Sequence, residues 1–236
     1  MFSGPMPCVS LAVVTGAGSG IGRATALALA RRGLDLALVG RTEETLRATQ
    51  SEALRTGVRA FVARADVSSS ADVQRAAAAI LAGPGTPAVV VNNAGIAGRK
   101  TAVEETDEAE WDAVLGINLK GTFLVTRAFL PRMRALARGR IITIASISAT
   151  LGTAGLAPYC ASKWGVVGFS KALAEELRGS GLQAIAVLPG TVDTAMAKVG
   201  GFPPQMSAED VARVVEFVSL DAPAAMNGSA VECFGP

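Results

Sequence analysis

The chain has 236 residues and a net charge of +2, with 50% of its residues apolar and 18% charged. That is enough chain for one well-buried domain, and its composition lies far from that of disordered proteins. Near-balanced charge excludes the clustered lysine and arginine excess that nucleic acid and anionic membranes require, so a small-molecule partner is the expectation. Histidine is absent, which removes the commonest general base and metal ligand together: no Ser-His-Asp triad is possible and no metal site is expected. Cys8, Cys160 and Cys233 form no CxxC pair and are too few for a disulfide framework, which points to a reducing compartment. Residues 1–10 carry no Lys or Arg, and the apolar run Leu11–Val14 ends before signal-peptide length, so the expected location is the cytoplasm.

From Val9 onward, short β-branched or apolar runs alternate with longer Ala/Leu-rich stretches. This is the pattern of βαβ units around a parallel sheet covered by helices on both faces. The first predicted strand, Val9–Val14, enters Thr15-Gly16-Ala17-Gly18-Ser19-Gly20-Ile21-Gly22 and then the helical pattern Ile21–Arg32. The glycines are spaced GxxxGxG at Gly16, Gly20 and Gly22; the third glycine of a GxGxxG template would fall on Ile21. Such glycines let the backbone turn tightly and approach a pyrophosphate, whose charge is received by free N–H groups at the helix start. The candidate contacts are Gly16, Ser19, Gly20, Ile21 and Gly22, although a tight strand-to-helix turn alone would also need glycine.

The second strand, Leu34–Val39, ends in Gly40-Arg41, where NAD-binding sheets carry an Asp or Glu for the ribose hydroxyls. Asp35 stands at the wrong end of the strand and Glu43 lies two residues past Arg41. The guanidinium is therefore placed to meet an adenosine 2′-phosphate bidentately, which favours NADP(H) and leaves NAD(H) as the alternative. The competing reading of Arg41 is a solvated arginine heading the helix Glu43–Thr56. Strand Val58–Ala63 and helix Ala71–Leu81 follow, then strand Ala88–Asn92 running into Asn92-Asn93-Ala94-Gly95, and a long helix Asp107–Arg134 that contains Asn118.

Strand Arg140–Ala145 opens a stretch without charge as far as Lys163. Its serines and threonines, with Gly152, Gly155 and Pro158, make it a buried strand and loop, not a membrane span. Helix Pro158–Gly179 carries Tyr159, the sole tyrosine, and Lys163; four residues apart on a helix, they share one face. After strand Gln183–Leu188 comes the one long irregular segment, Ala195–Met206, then helix Ala208–Leu220 and strand Ser229–Phe234.

In order, Gly16/Gly20/Gly22, Asn92–Gly95, Asn118, Ser146, Tyr159-Cys160-Ala161-Ser162-Lys163 and Pro189-Gly190-Thr191-Val192-Asp193-Thr194 closely resemble the short-chain dehydrogenase/reductase family, from Val9 to Phe234. The resemblance implies a single doubly wound, Rossmann-like α/β domain over residues 1–236, with a seven-stranded, mostly parallel sheet. It also implies a tetrad of Asn118, Ser146, Tyr159 and Lys163. A free phenol with a pKa of about 10 exchanges protons poorly at neutrality, and a lysine ammonium beside it favours the phenolate, so Tyr159 is the expected proton donor to the alkoxide left by hydride transfer. The family serine lies thirteen residues before the tyrosine, which selects Ser146 over Ser148. Asn118 would help hold a water joined to Lys163, or else satisfy backbone at a helix kink. The resemblance further sets Asp66 and Val67 against adenine, Asn92 and Ala94 against the adenosine ribose, Tyr159 and Lys163 against the cofactor as well as the substrate, and Pro189, Gly190, Val192 and Thr194 beside the nicotinamide carboxamide. Asp66 capping the following helix is the equal alternative.

Residues 195–206 are expected to cover substrate with Met196, Val199, Phe202 and Met206, opposite Leu151, Thr153 and Leu156. Apart from Asp193 and Lys198 nothing charged anchors a ligand there, so an uncharged carbonyl is expected. The leading reading is an NADP(H)-dependent carbonyl reductase or alcohol dehydrogenase. The alternatives are a 3-oxoacyl-carrier-protein reductase, an NAD-dependent alcohol dehydrogenase and a non-catalytic cofactor-binding protein. An acidic carrier would need a basic patch, for which Arg132, Arg134, Arg138 and Arg140 are the candidates, or those arginines complement a helix dipole. The resemblance also implies a homotetramer or homodimer built on helices Asp107–Arg134 and Pro158–Gly179.

Overall fold

The structure is a computed structural model that describes residues 10–197, 201 and 203–235. The described strands are β1 (Leu11–Thr15), β2 (Asp35–Gly40), β3 (Ala60–Arg64), β4 (Val89–Asn92), β5 (Gly139–Ile144), β6 (Leu182–Pro189) and β7 (Ala230–Cys233). All pair in parallel in one sheet of order β3-β2-β1-β4-β5-β6-β7. The expected seven-stranded doubly wound fold is present, with every described strand pair parallel. Val9, the expected start of the first strand, lies outside the described residues.

Strand alternation sorts the side chains into two cores. Ala12, Val14, Val89, Val91, Ile142 and Ile144 face the layer of α1 (Gly20–Arg31), α2 (Glu43–Leu54) and α7 (Ala208–Leu220). Leu11, Val13, Val90 and Ile141 face the layer of α3 (Ser70–Ala82), α5 (Gly121–Met133) and α6 (Ala157–Glu176). Both faces are apolar, so the strands read as nearly continuous hydrophobic runs. α7 begins where the sequence expects it, because Ser207 and Asp210 form a reciprocal capping box: Ser207 Oγ accepts from Asp210 N at 3.1 Å and Asp210 Oδ2 accepts from Ser207 N at 3.0 Å.

The long helix expected over 107–134 is α4 (Glu108–Leu115) continued through a π-helical segment, Gly116–Lys120, into α5. Asn118 sits in that segment, and such π-bulges concentrate at functional sites. The sheet order reverses between β1 and β4. Ligands of open parallel sheets bind at such a switch point, outside the carboxyl ends of the strands.

Candidate active site

The turn after β1 is built around the neighbouring end of β4. Gly16 (φ +65°) and Gly20 (φ +49°) adopt left-handed backbone conformations. A methyl on Gly22 would overlap the Gly16 carbonyl and the Asn93 amide, so Gly22 serves close packing and does not itself line the cleft. Thr15 Oγ1 accepts from both Asn93 N and Ala94 N at 3.0 Å, and Asn93 Nδ2 donates to Thr15 O at 2.9 Å. Ser19 stands at the N-cap of α1 without a side-chain cap, and the first helical bond runs from Arg23 N to Ser19 O. The N–H groups of Gly20, Ile21 and Gly22 are thereby left at an open helix N-terminus.

One side of this turn opens into a cavity of about 190 Å³ lined by Gly16, Ser19, Arg41, Asp66, Val67, Ala94, Ile96 and Ile117 among others. The Arg41 guanidinium is exposed at its rim and has no hydrogen-bond or ionic partner among the described residues. Its nearest acid in sequence, Glu43, is taken by Arg47 at 2.8 Å, and Asp35 is held at the far end of β2 by Arg59. Asp66 neither caps α3 nor stands free: Oδ1 accepts from Ser68 N at 2.9 Å and Ser68 Oγ at 2.7 Å, while Ser69 supplies the cap.

The other side is a cleft of about 330 Å³ that takes in Gly16, Ser19, Gly20, Ile21, Ser146, Tyr159, Lys163, Pro189, Gly190, Val192 and Thr194. Lys163 is buried and its Nζ donates to Ile144 O at 2.8 Å, 5.6 Å from the centre of the Tyr159 ring. Burial pushes the Lys163 ammonium down to about 8. Burial also raises the Tyr159 phenol above its ordinary value, a hydrogen bond with Ser146 working against it. The expected lowering of the phenol pKa by Lys163 is not found: desolvation sets the direction, and the opposing influence comes from Ser146. Gly95 is the spacer of this corner: its bare Cα leaves room for Asn118 Oδ1 and Lys163 Nζ, which would stand 3.1 and 3.7 Å from a methyl there.

The Asn118 side chain is fully engaged. Its Oδ1 accepts from Ile96 N, and its Nδ2 donates to Ile96 O and Ser162 Oγ, all at 2.9 Å. Its carbonyl accepts from Thr122 Oγ1 at 2.7 Å. The amide clamps the loop after β4 to the π segment: it satisfies the backbone of that loop at Ile96, not helix backbone at a kink. Ser146 Oγ accepts from Ser148 N at 3.1 Å, and Ser148 Oγ is paired with Thr153 Oγ1 at 3.3 Å. The two serines thus have separate surroundings, with Ser146 the one beside the phenol.

A family model described as short chain dehydrogenase matches residues 10–200. The chain belongs to the short-chain dehydrogenases. It is 37% identical over 184 residues to an NADPH-dependent pterin aldehyde reductase from Arabidopsis thaliana, covering 78% of this chain and 75% of that protein. Among solved structures it is similar to levodione reductase, with a TM-score of 0.89, 32% identity and 94% and 95% of the two chains covered. It is also similar to a 3-ketoacyl-(acyl-carrier-protein) reductase from Brucella melitensis complexed with NADH, with a TM-score of 0.88, 30% identity and 96% and 97% covered.

Short-chain dehydrogenases work with a nicotinamide cofactor, and the groups of this cleft fit one: an uncapped helix N-terminus, a turn whose glycines admit close backbone approach, and two cavities that share Gly16, Ser19, Ala94 and Gly95. Several expected contacts fall elsewhere in this dehydrogenase. Asn92 is buried and donates to Thr126 Oγ1 at 3.0 Å, because as the last residue of β4 it points toward α5; Asn93 and Gly95 line the cleft in its place. Leu151 is 60% exposed and does not reach the cleft, whereas Thr153 and Leu156 do. Met196 lines the cleft, but Met206 is a core residue, because Val192 bridges to it and Asp193 N donates to its carbonyl at 2.9 Å. Lys198, Val199 and Phe202 lie outside the described residues.

The basic cluster also divides. Arg140 is buried and donates to Val218 O at 2.7 Å and to Ala222 O, and Arg138 donates to Leu220 O at 3.2 Å. Both cap the C-terminus of α7 at the sheet edge opposite the cleft. Desolvation there lowers the Arg140 guanidinium to about 10.

Proposed function

We propose that the chain is an NADP(H)-dependent carbonyl reductase, reversibly an alcohol dehydrogenase, with Tyr159 as the general acid and base. The observation that carries the reading is the buried corner where the Ser146 hydroxyl meets the Tyr159 phenol, with the Lys163 ammonium behind the ring. The nicotinamide, when bound, supplies or accepts the hydride. Ser146 then holds the substrate oxygen, and the adjacent Ser148 N–H occupies a lone pair of its hydroxyl and helps orient its O–H. Tyr159 gives its phenolic proton to the developing alkoxide, and Lys163 stabilises the phenolate that remains. The raised phenol pKa keeps Tyr159 protonated at neutral pH, the form that reduction consumes.

Within this reading, Gly20 and Ile21 N–H groups and Ser19 hold the pyrophosphate, Arg41 the 2′-phosphate, and Asp66, Val67 and Ala94 the adenosine end. Pro189, Gly190, Val192 and Thr194 flank the nicotinamide. The unpaired guanidinium of Arg41 supports NADP(H) over NAD(H). Ala195, Met196 and Ala197 cover the substrate within a single domain. The substrate is a small uncharged carbonyl compound; Arg138 and Arg140, spent on α7, weaken the acyl-carrier reading.

The protein acts in the cytoplasm, without a nucleic-acid or membrane partner. It forms a homodimer or homotetramer through α4, α5 and α6, which expose Trp111, Phe123 and Trp164. Light scattering on wild type and on Phe123→Glu should show an assembly that the charge dissociates; a monomeric wild type would remove this part of the proposal. The function is tested by NADPH and NADH oxidation over a panel of aldehydes, ketones, diketones and 3-oxoacyl thioesters. Tight NADPH binding with no turnover of any of them would favour a non-catalytic role.

A further inference from the structure

The wall formed by residues 146–159 brings four hydroxyl-bearing residues to the cleft, Ser146, Ser148, Thr153 and Tyr159, and these fall into two pairs. Ser146 and Tyr159 stand together and are committed to the reacting oxygen under the reading above. The Ser148 and Thr153 hydroxyls have no part in that chemistry; Ser148 enters it only through its backbone N–H. Their oxygens lie 3.3 Å apart, longer than the roughly 2.5–3.0 Å of a well-made O–H···O bond, and neither hydroxyl has another hydrogen-bond partner among the described residues. Two hydroxyls hold two protons and use at most one between them. At least one O–H and several lone pairs are therefore available to whatever occupies the cleft.

The surroundings define what that partner is. Ala97, Ile147, Leu156 and Met196 make the neighbouring wall apolar, and Lys163 is the only charged side chain on the cleft among the described residues. Its ammonium is already directed to Ile144 O. Among the described residues no cation faces the Ser148–Thr153 pair, so a carboxylate or phosphate held by these residues would be desolvated there without compensation. A neutral oxygen would not. The pair also stands beside the reacting centre, because the Ser148 N–H is 3.1 Å from Ser146 Oγ.

We propose that Ser148 and Thr153 form a second oxygen subsite. It selects carbonyl substrates that bear a further neutral oxygen on the neighbouring or next carbon: vicinal diketones, 2-hydroxyketones and 3-oxoesters. The proposal rests on the carbonyl-reductase reading of the same cleft and adds to it the group beside the reacting carbonyl.

The test compares kcat/KM with NADPH for 2-pentanone, 2,3-pentanedione and ethyl 3-oxobutanoate in wild type, Thr153→Val and Ser148→Ala. Intrinsic electrophilicity differs among the three ketones but is common to the three proteins, so it cancels when their preferences are compared. The preference for the dioxygenated ketones over 2-pentanone is expected to fall about tenfold in each variant, the effect of one lost hydrogen bond. An equal change for all three ketones overturns the subsite and leaves the reductase reading intact. Failure of wild type to reduce these ketones and every carbonyl of the wider panel overturns the reductase reading; where the three ketones are not turned over, the subsite is decided by binding. Saturation-transfer NMR of ethyl 3-oxobutanoate on protein with NADP⁺ should show contact in wild type that Thr153→Val weakens. Contact absent from wild type, or unchanged in the variant, overturns the subsite.

Discussion

The two ends of the sheet treat the same residue type in opposite ways. At the amino end of β5, Arg140 and Arg138 are consumed by the carbonyls of Val218, Leu220 and Ala222. At the carboxyl end of β2, the Arg41 guanidinium has no partner among the described residues and stands over a cavity, while its backbone carbonyl accepts from Arg64 Nε at 3.1 Å. The cause is topological. In a parallel sheet each crossover helix starts at the carboxyl edge and ends at the amino edge, so helix C-termini, with their unpaired carbonyls, collect where arginine caps them. Helix N-termini collect at the other edge, where the protein leaves α1 uncapped. An arginine's role is thus read from the strand end it occupies.

The sharpest way to break this contrast is to remove the acid at the carboxyl edge. Tyr159→Phe should lower kcat about 10³–10⁴-fold, at the upper end of what a positioned general acid contributes. Cofactor affinity, measured by fluorescence titration, should stay within about threefold of wild type, about 0.65 kcal/mol. Retained turnover would show that the proton comes from elsewhere.

Removing the guanidinium at the amino edge should act on stability alone. Arg140→Met leaves two carbonyls of the α7 terminus unpaired in a buried place, a cost of about 3 kcal/mol. For a chain of this size that is a fall in Tm of roughly 6–12 °C. Calorimetry gives the shift, and unchanged kcat and KM in the folded variant separate this edge from the cleft. A Tm shift of under about 2 °C would mean that water replaces both bonds.

Arg41→Ala should do the reverse. Loss of a charge-assisted bidentate pair with a 2′-phosphate costs about 1.5–3 kcal/mol, so the NADPH Kd should rise about 10–150-fold. NADH affinity should barely change and Tm should stay the same. Equal losses for both cofactors would return Arg41 to the role of a solvated helix-heading charge.

Much of this was legible in the sequence, because both signals involved are local. Hydrophobic runs locate the strands to within two residues, and the helical pattern Ala208–Leu220 matches α7. Tyr159 and Lys163 share a face by helical spacing alone. What escaped depends on direction at the ends of elements. Period-two alternation continued one residue past Val91 sends Asn92 to α5 and leaves Asn93 for the turn, a signal available in the doubled asparagine. The π segment around Asn118 carries no such mark, because its register is set by the clamp to Ile96, twenty-two residues away. Met206 could not be assigned from composition, since an apolar residue closing a loop looks the same whether it faces substrate or bridges to Val192.

The smallest expected effect lies inside the reaction corner and concerns pH. Reduction needs Tyr159 protonated, which its raised pKa secures through the neutral range, and it needs a charged Lys163 to stabilise the phenolate left behind. The Lys163 ammonium is held near 8 by burial, so its charge is present below that pH and lost above it. kcat for reduction should therefore be level up to about pH 7 and decline several-fold through about pH 8, before the phenol itself titrates. The reverse reaction needs phenolate, so its rate should keep climbing over the same range, and the two profiles should cross in sense. Lys163→Met should be slower throughout and should lose the inflection near 8. An inflection that persists in Lys163→Met would belong to another group, and the corner would then hold its proton by hydrogen bonding alone.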